Sequence, residues 1–256
     1  MAAQTGDAHE LESQLTPCNT VTDDQHVHSL HCYFLRPGNA NKHILYHVDR
    51  TRDGNTYTSR AIKATQDSVP IFTMQASFKI DEVDPLQHQF KMPEVPPPES
   101  LIDEVSEFRK MMMSSWLDDK IHVEKRPVDP EVYHYNRPGE PRRLVWVKAI
   151  GLIGDNQKMH QCVAGFISDI ALLGATRQPA PTDYKIGFMA SLDHSIWFHT
   201  SFRADEWMLY DIQSPQCGGG KALVLGRIWR RDGVLAISGC TRRRYQIFKF
   251  QFITHT

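Results

Sequence analysis

No CxxC pair occurs in this chain, and its five cysteines are widely scattered and odd in number. That pattern excludes a disulfide framework and a zinc knuckle, and it points to a reducing compartment. No apolar run approaches the roughly 18 residues that a membrane span needs. Excess charge of either sign is also missing: 29 Lys and Arg stand against 30 Asp and Glu, a formal net charge of -1. A general nucleic-acid binder carries a basic excess, so nucleic acid is not an expected partner. The first 25 residues, MAAQTGDAHELESQLTPCNTVTDDQ, lack the basic start and apolar middle of a secretion signal. There is no GxSxG elbow, which argues against a serine-nucleophile hydrolase. What remains is a globular composition: 256 residues, 41% hydrophobic and 23% charged, enough for one large domain or two of ordinary size.

The strongest internal signal is a repeat. HSLHCYF at 28–34 matches HSIWFHTSF at 194–202, and each is followed by an Arg and an apolar strand, HILYHV at 43–48 and WMLYDI at 207–212. RDGNTYTSRAIKA at 52–64 then matches GGGKALVLGRIW at 218–229, and DSVPIFTMQASF at 67–78 matches DGVLAISGCT at 232–241. The offset, about 165 residues, is too long for a solenoid and fits a duplicated domain. Each copy reads as an antiparallel meander. Ile186, Phe188, Ala190 and Leu192 alternate with polar or small neighbours, and Asp-Gly turns stand at 53–54 and 232–233.

Only the second copy has a prelude. Arg142 to Ile150 reads as a strand, and 158–175 as a helix, with Cys162, Phe166, Ile170 and Leu173 at helical spacing and Gly174 as its stop. A strand, an apolar helix and a meander together suggest a curved sheet wrapped around a central helix. The first copy shows no helical stripe ahead of it, so its sheet is expected to lack a helix and to leave an apolar concave face open. Between the copies, MPEVPPPES at 92–100 is extended and Pro-rich. An amphipathic helix follows, with Leu101, Val105, Phe108, Met112 and Trp116 on one side, and then a proline-containing loop to Pro141. The expected organisation is a divergent segment 1–20, an incomplete first unit 21–91, a linker 92–141, a complete second unit 142–241 and a divergent basic tail 242–256.

HVHSLHCYFLRPG at 26–38, RTRDGNTYTSRAIKATQ at 50–66 and PIFTMQASF at 70–78 resemble the acyl-CoA thioesterase II family, bacterial and peroxisomal, as do ASLDHSIWFHTSFRADEWMLY at 190–210 and RIWRRDGVLA at 227–236. The resemblance spans roughly residues 21–241, with its motifs in order. It implies an α+β fold, a tandem (double) hot-dog of antiparallel sheets each wrapping a central helix. It also implies hydrolysis of fatty acyl-CoA to free fatty acid and CoA, without metal or organic cofactor. In such enzymes an Asp, a Thr or Ser, and a Gln orient and activate the attacking water. Carried over residue by residue, the Asp is Asp169 in FISDIALL and the hydroxyl residue is Ser191 in MASLDHS. The segment that should carry the Gln reads SGCTRRRY, so the Gln position holds Thr241. The alternative reading is a catalytically impaired acyl-CoA-binding or truncated form of the same fold. The peroxisomal relatives imply a peroxisomal matrix enzyme, with the cytosol open because the chain ends ITHT rather than in an SKL-like tripeptide. A homo-oligomer is also open.

Asp169 stands out without any family. It shares a helical face with Cys162, Gly165 and Phe166. Burial of a carboxylate there is expected to raise its pKa toward that of a useful base; the bland rival is an Asp at the edge of the face, reaching solvent. Ser191 and Asp193, at i and i+2, are expected to share a strand face. Asp193 and His194 read best as a strand-end pair. His26, His28 and Cys32 are expected on one strand face and His31 on the other; an ordinary strand outweighs a metal site because no second cluster completes the set. Gly218, Gly219 and Gly220 read as a hairpin, not a phosphate loop. Arg242, Arg243 and Arg244 read by default as a solvated tail, but placed beside Asp169 they would lower its pKa. Backbone N–H groups at the N-terminus of the 158–173 helix are candidates to polarise the thioester carbonyl.

Overall fold

The computed structural model describes residues 17–83, 85–103, 123–172, 174–180 and 184–249. The first repeat gives β1 (His26–Phe34), β2 (Leu45–Arg52), β3 (Tyr57–Gln66) and β4 (Val69–Lys79). The second half gives β5 (Val123–Pro127), a one-turn helix α1 (Pro130–Tyr133), β6 (Arg142–Ala149) and the long helix α2 (Gln157–Leu172). Then follow β7 (Tyr184–Ser191), β8 (Asp193–Phe198), β9 (Met208–Gly218), β10 (Lys221–Arg230) and β11 (Leu235–Lys249). The linker helix expected after residue 100 falls largely in 104–122, outside the described residues.

The strands form one antiparallel sheet in the order β2-β3-β4-β1-β8-β11-β10-β9-β6-β5, with β7 on the far end of β11. The two meanders are therefore joined edge to edge by β1 and β8, with Leu30 opposite Ile196 and Cys32 opposite His194. This is the tandem hot-dog architecture the resemblance implies, with α2 packed on β1, β8 and β10. The turns follow their chemistry. Asp67 and Ser68, both at positive φ, make the two-residue β3–β4 turn, whose twist matches that of the flanking strands. Gly219 and Gly220, also at positive φ, close the β9–β10 hairpin as expected.

Among the described residues the first repeat has no long helix, yet its concave face is not open. Pro17 and Cys18 are helical, and Cys18 is buried. Cys18, Gln161 and Cys162 close over Val27, Leu30, Met74, Ala76 and Phe78. Lys158 Nζ reaches the carbonyls of Cys18 and Thr22, and Gln161 donates to the Val27 carbonyl. The early part of α2 thus serves the first sheet as well as the second. The sequence missed this because a helix was assigned to the repeat it precedes, while its apolar faces meet both.

Three local expectations are corrected. The proline-containing loop before Pro141 holds β5 and α1, with β5 paired to β6. The basic tail is not solvated through its whole length: 242–249 continue β11, and 243–249 pair with β7. The helix ends at Leu172, short of the expected 175 and just before Gly174; Gly174 has φ -81, and a Cβ there would lie 1.5 Å from the Arg143 guanidinium, so close approach and not a left-handed turn requires the glycine.

β2 is an edge strand with mostly exposed side chains, whereas β9 and β10 are covered on both sides by neighbouring strands. Amides in 43–78 are therefore expected to exchange with solvent faster than those in 185–240, since weakly packed units open at lower free energy. Hydrogen-exchange mass spectrometry checks this; equal protection would mean that residues 1–20 or a partner chain stabilise the first sheet.

Candidate active site

α2 carries Asp169 three residues before its last, Leu172, with Ala164, Ile167 and Ser168 buried around it. That end of the helix is held by Tyr210, whose hydroxyl donates to the Ser168 carbonyl at 2.7 Å. The buried Tyr210 ring fits only because Gly226 has no side chain; a Cβ there would approach the ring to 2.6 Å.

The chain turns at Leu192, which donates to the Arg242 carbonyl and accepts from Phe34 N–H. Ser191 therefore ends β7 while Asp193 opens β8, so they do not share one strand as expected. Ser191 sits directly opposite Arg243 on β11, and both side chains reach Asp169. Ser191 Oγ donates to Asp169 Oδ1 at 3.1 Å. Arg243 Nη2 donates to the Asp169 backbone oxygen at 2.9 Å and forms an ion pair with Oδ1. His194 Nδ1 approaches the same oxygen at 3.5 Å. Among the described residues nothing donates to Oδ2, and about a quarter of the side chain is exposed (25%). Ser191 and Arg243 thus anchor one carboxylate oxygen, with His194 close beside it, and the other oxygen is left for a ligand.

Burial pushes the Asp169 carboxyl up, but Arg243, then His194 and Ser191, outweigh it and hold the group well below the usual carboxylate range. The raised pKa expected from an apolar face is corrected accordingly. Asp169 is a firmly ionised acceptor and, beside Arg243, a weak base.

Thr241 does not join this group. It is fully buried, and its hydroxyl donates to the Asp193 carbonyl. Asp193 Oδ1 accepts from the Arg242 N–H at 2.7 Å, which pins the start of β8 to β11. The N-terminus of α2 lies 12 residues before Asp169, about 18 Å along the helix axis;. Its N–H groups are too far away to polarise a carbonyl that water held by Asp169 would attack.

Sequence reasoning missed His194 as a partner of Asp169 by strand parity, and it set the cations of 242–244 near Asp169 without singling out Arg243. In β8, His194, Ile196 and Phe198 are the buried set, and in β11 Thr241 and Arg243 are buried while Arg242 and Arg244 are exposed. Alternation was available in both places, but a charged run and an Asp-His pair draw a solvated reading first. The first-repeat histidines were misplaced by a bulge between Val27 and Ser29. It puts His28 and His31 on the outer face, bonded to Ser77 and Ser195, while Cys32 points into the core.

The sheet and its central helix define a double hot-dog, and an anchored carboxylate beside a serine fits hydrolytic chemistry. An acyl-CoA thioesterase family model matches residues 117–244, and a model of the acyl-CoA thioesterase N-terminal domain matches 2–79. Acyl-coenzyme A thioesterase 8 of Rattus norvegicus is 45% identical over 240 residues, covering 89% of this chain and 75% of the relative. The crystal structure of acyl-CoA thioesterase II TesB2 from Mycobacterium marinum superposes with a TM-score of 0.79 at 33% identity, covering 94% of this chain and 88% of that one. Peroxisomal acyl-coenzyme A thioester hydrolase 1 of Saccharomyces cerevisiae is 22% identical over 294 residues, covering 93% of this chain and 84% of the relative. This chain belongs to the acyl-CoA thioesterase II family.

Proposed function

We propose that this chain hydrolyses fatty acyl-CoA thioesters to free fatty acid and CoA by direct attack of water. The observation that carries the reading is the carboxylate of Asp169, anchored through Oδ1 by Ser191 at 3.1 Å and open at Oδ2. Water bound at Oδ2 gives its proton to Asp169 as its oxygen attacks the thioester carbonyl. The tetrahedral intermediate collapses, the C–S bond breaks, and the CoA thiolate takes the proton that Asp169 holds, which restores the carboxylate. Ser191 orients the carboxylate in this scheme. Residue 241 contributes nothing to the water in this scheme: Thr241 carries a hydroxyl in place of an amide, and that hydroxyl donates to the Asp193 carbonyl.

Incubation with palmitoyl-CoA and a thiol reagent tests the reading: free CoA is expected above the buffer rate, and none from folded protein sinks it. One observation favours a second reading, an acyl-CoA-binding form with attenuated turnover. Arg243 occupies the base that the reaction needs. Saturable calorimetric heat with a non-hydrolysable acyl-CoA, without CoA release from the natural thioester, would select it. For location we propose the peroxisomal matrix, on the strength of the peroxisomal relative; no helix among the described residues is long and apolar enough to cross a membrane. Imaging of the full chain against a peroxisomal marker checks this.

A further inference from the structure

We propose that His194, backed by Ser168, is a positioning residue of this site: it holds the carboxylate of Asp169 so that Oδ2 faces the attacking water. The proposal rests on the reading of Asp169 as the base. His194 is 1% exposed and Ser168 2%, so neither touches acyl-CoA, and both act through Asp169. The three side chains form a line. Ser168 Oγ lies 3.1 Å from His194 Nε2, and His194 Nδ1 lies 3.5 Å from Asp169 Oδ1. The order matches a serine-histidine-aspartate triad, but the serine is at the buried end and cannot be the nucleophile.

The protons can be assigned from the bonds. Ser168 has one hydroxyl proton and two acceptors within reach, the Gly165 carbonyl at 2.6 Å and His194 Nε2 at 3.1 Å. The nearer carbonyl takes it, so Ser168 accepts from Nε2–H. Nδ1 is then left facing Oδ1, buried and without a hydrogen-bond partner in the resting arrangement. With Nε2–H committed to Ser168, a second ring proton taken up from solvent lets Nδ1 donate to Oδ1, and that contact fixes the carboxylate plane. Ser168 and Asp169 are adjacent on α2, so the imidazole is clamped against the helix turn that presents the base. Cys32 stands opposite His194 on β1, and Arg243 from β11 pairs with the same Oδ1 that Nδ1 approaches.

Two variants separate the ends of the ring. His194→Gln extends an amide toward the Nε2 position and keeps the Ser168 side, whereas His194→Asn places an amide near Nδ1 and keeps the Asp169 side. With palmitoyl-CoA, His194→Gln is expected to lower kcat by on the order of 10²-fold through a misaimed base, with KM nearly unchanged. His194→Asn is expected to recover most of that loss. Parent kcat in His194→Gln, or equal losses in both folded variants, overturns the proposal. Nitrogen-15 NMR of the His194 ring at one fixed pH tests it without turnover: Asp169→Asn is expected to move the Nδ1 resonance relative to the parent and to leave Nε2 nearly in place, and identical ring resonances in both proteins overturn it. A parent that releases no CoA defeats the thioesterase reading alone, because the NMR comparison still decides the role of His194.

Discussion

The triple substitution Thr241→Gln, Arg242→Glu, Arg243→Gly is expected to speed hydrolysis of palmitoyl-CoA by about 10²–10³-fold, the worth of one positioned hydrogen bond to the reacting group. Two effects point the same way. An amide at position 241 both donates and accepts, and its longer stem can leave the Asp193 carbonyl that holds the Thr241 hydroxyl. Removal of Arg243 strips a cation from Oδ1 and lets the Asp169 carboxyl rise toward the ordinary carboxylate range, making it a better base. The sign is readable in the pH–rate profile. In the parent, Asp169 stays ionised to unusually low pH, so the acid limb lies below the ordinary carboxylate range. In the variant that limb moves up in pH. Burial of the Arg243 guanidinium, 3% exposed, means that its loss leaves a void, so the comparison is made between proteins of matched folded fraction. If the variant is no faster than the parent and both fold equally well, the missing Gln does not limit this enzyme, and the incomplete first repeat becomes the better explanation.

Asp169→Asn is expected to abolish nearly all turnover, by about 10²–10⁴-fold, while acyl-CoA binding stays close to unchanged. The amide is nearly isosteric with the carboxylate but takes no proton from water. A parent-like rate in steady-state assays would remove Asp169 as the base. The same change tests the ion pair. It strands the buried guanidinium of Arg243, and removing one partner of such a pair costs about 3–5 kcal/mol. A carboxylate held below its unfolded pKa stabilises the fold above that unfolded value, and the contribution fades as pH falls through the depressed one. The stability gap between parent and variant in urea titrations is therefore expected to be full at neutral pH and to close only in strong acid.

The strand-rich halves were legible because period-2 alternation, Asp-Gly turns and the glycines at 218–220 are local signals, and α2 because Cys162 and Phe166 mark a helical face. Contacts between distant segments were not legible. The closure of the first sheet depends on Cys18 meeting Cys162, 144 residues apart in sequence, which no periodicity encodes. At the candidate site, Asp169 stood out on an apolar helical face and was given its role by the resemblance, Ser191 came from the resemblance alone, and the structure brings them within hydrogen-bond distance. Thr241 came from the same alignment and lies elsewhere, because its register on β11 aims it at Asp193. Arg243 was anticipated only as a cation nearby. Its burial follows from β11 running on past the last repeat motif to pair with β7.

The seam between β1 and β8 makes each half the guard of the other's edge. Five residue pairs, Ser29–Trp197 to Tyr33–Asp193, close both meanders with one ladder. Cut between the halves, the chain would bare one edge each of β1 and β8, the latter carrying His194 beside the base, and open strand edges recruit further strands. The surrogate nearest in shape is another copy of the same half, since the repeats are related in sequence. A severed second half is thus expected to survive in solution as a symmetric pair, β8 against β8, and not as a monomer. Duplication within one polypeptide removes the need for that encounter. It also lets the two halves differ in sequence, so that the second carries the carboxylate while the first supplies its sheet and the edge that guards β8.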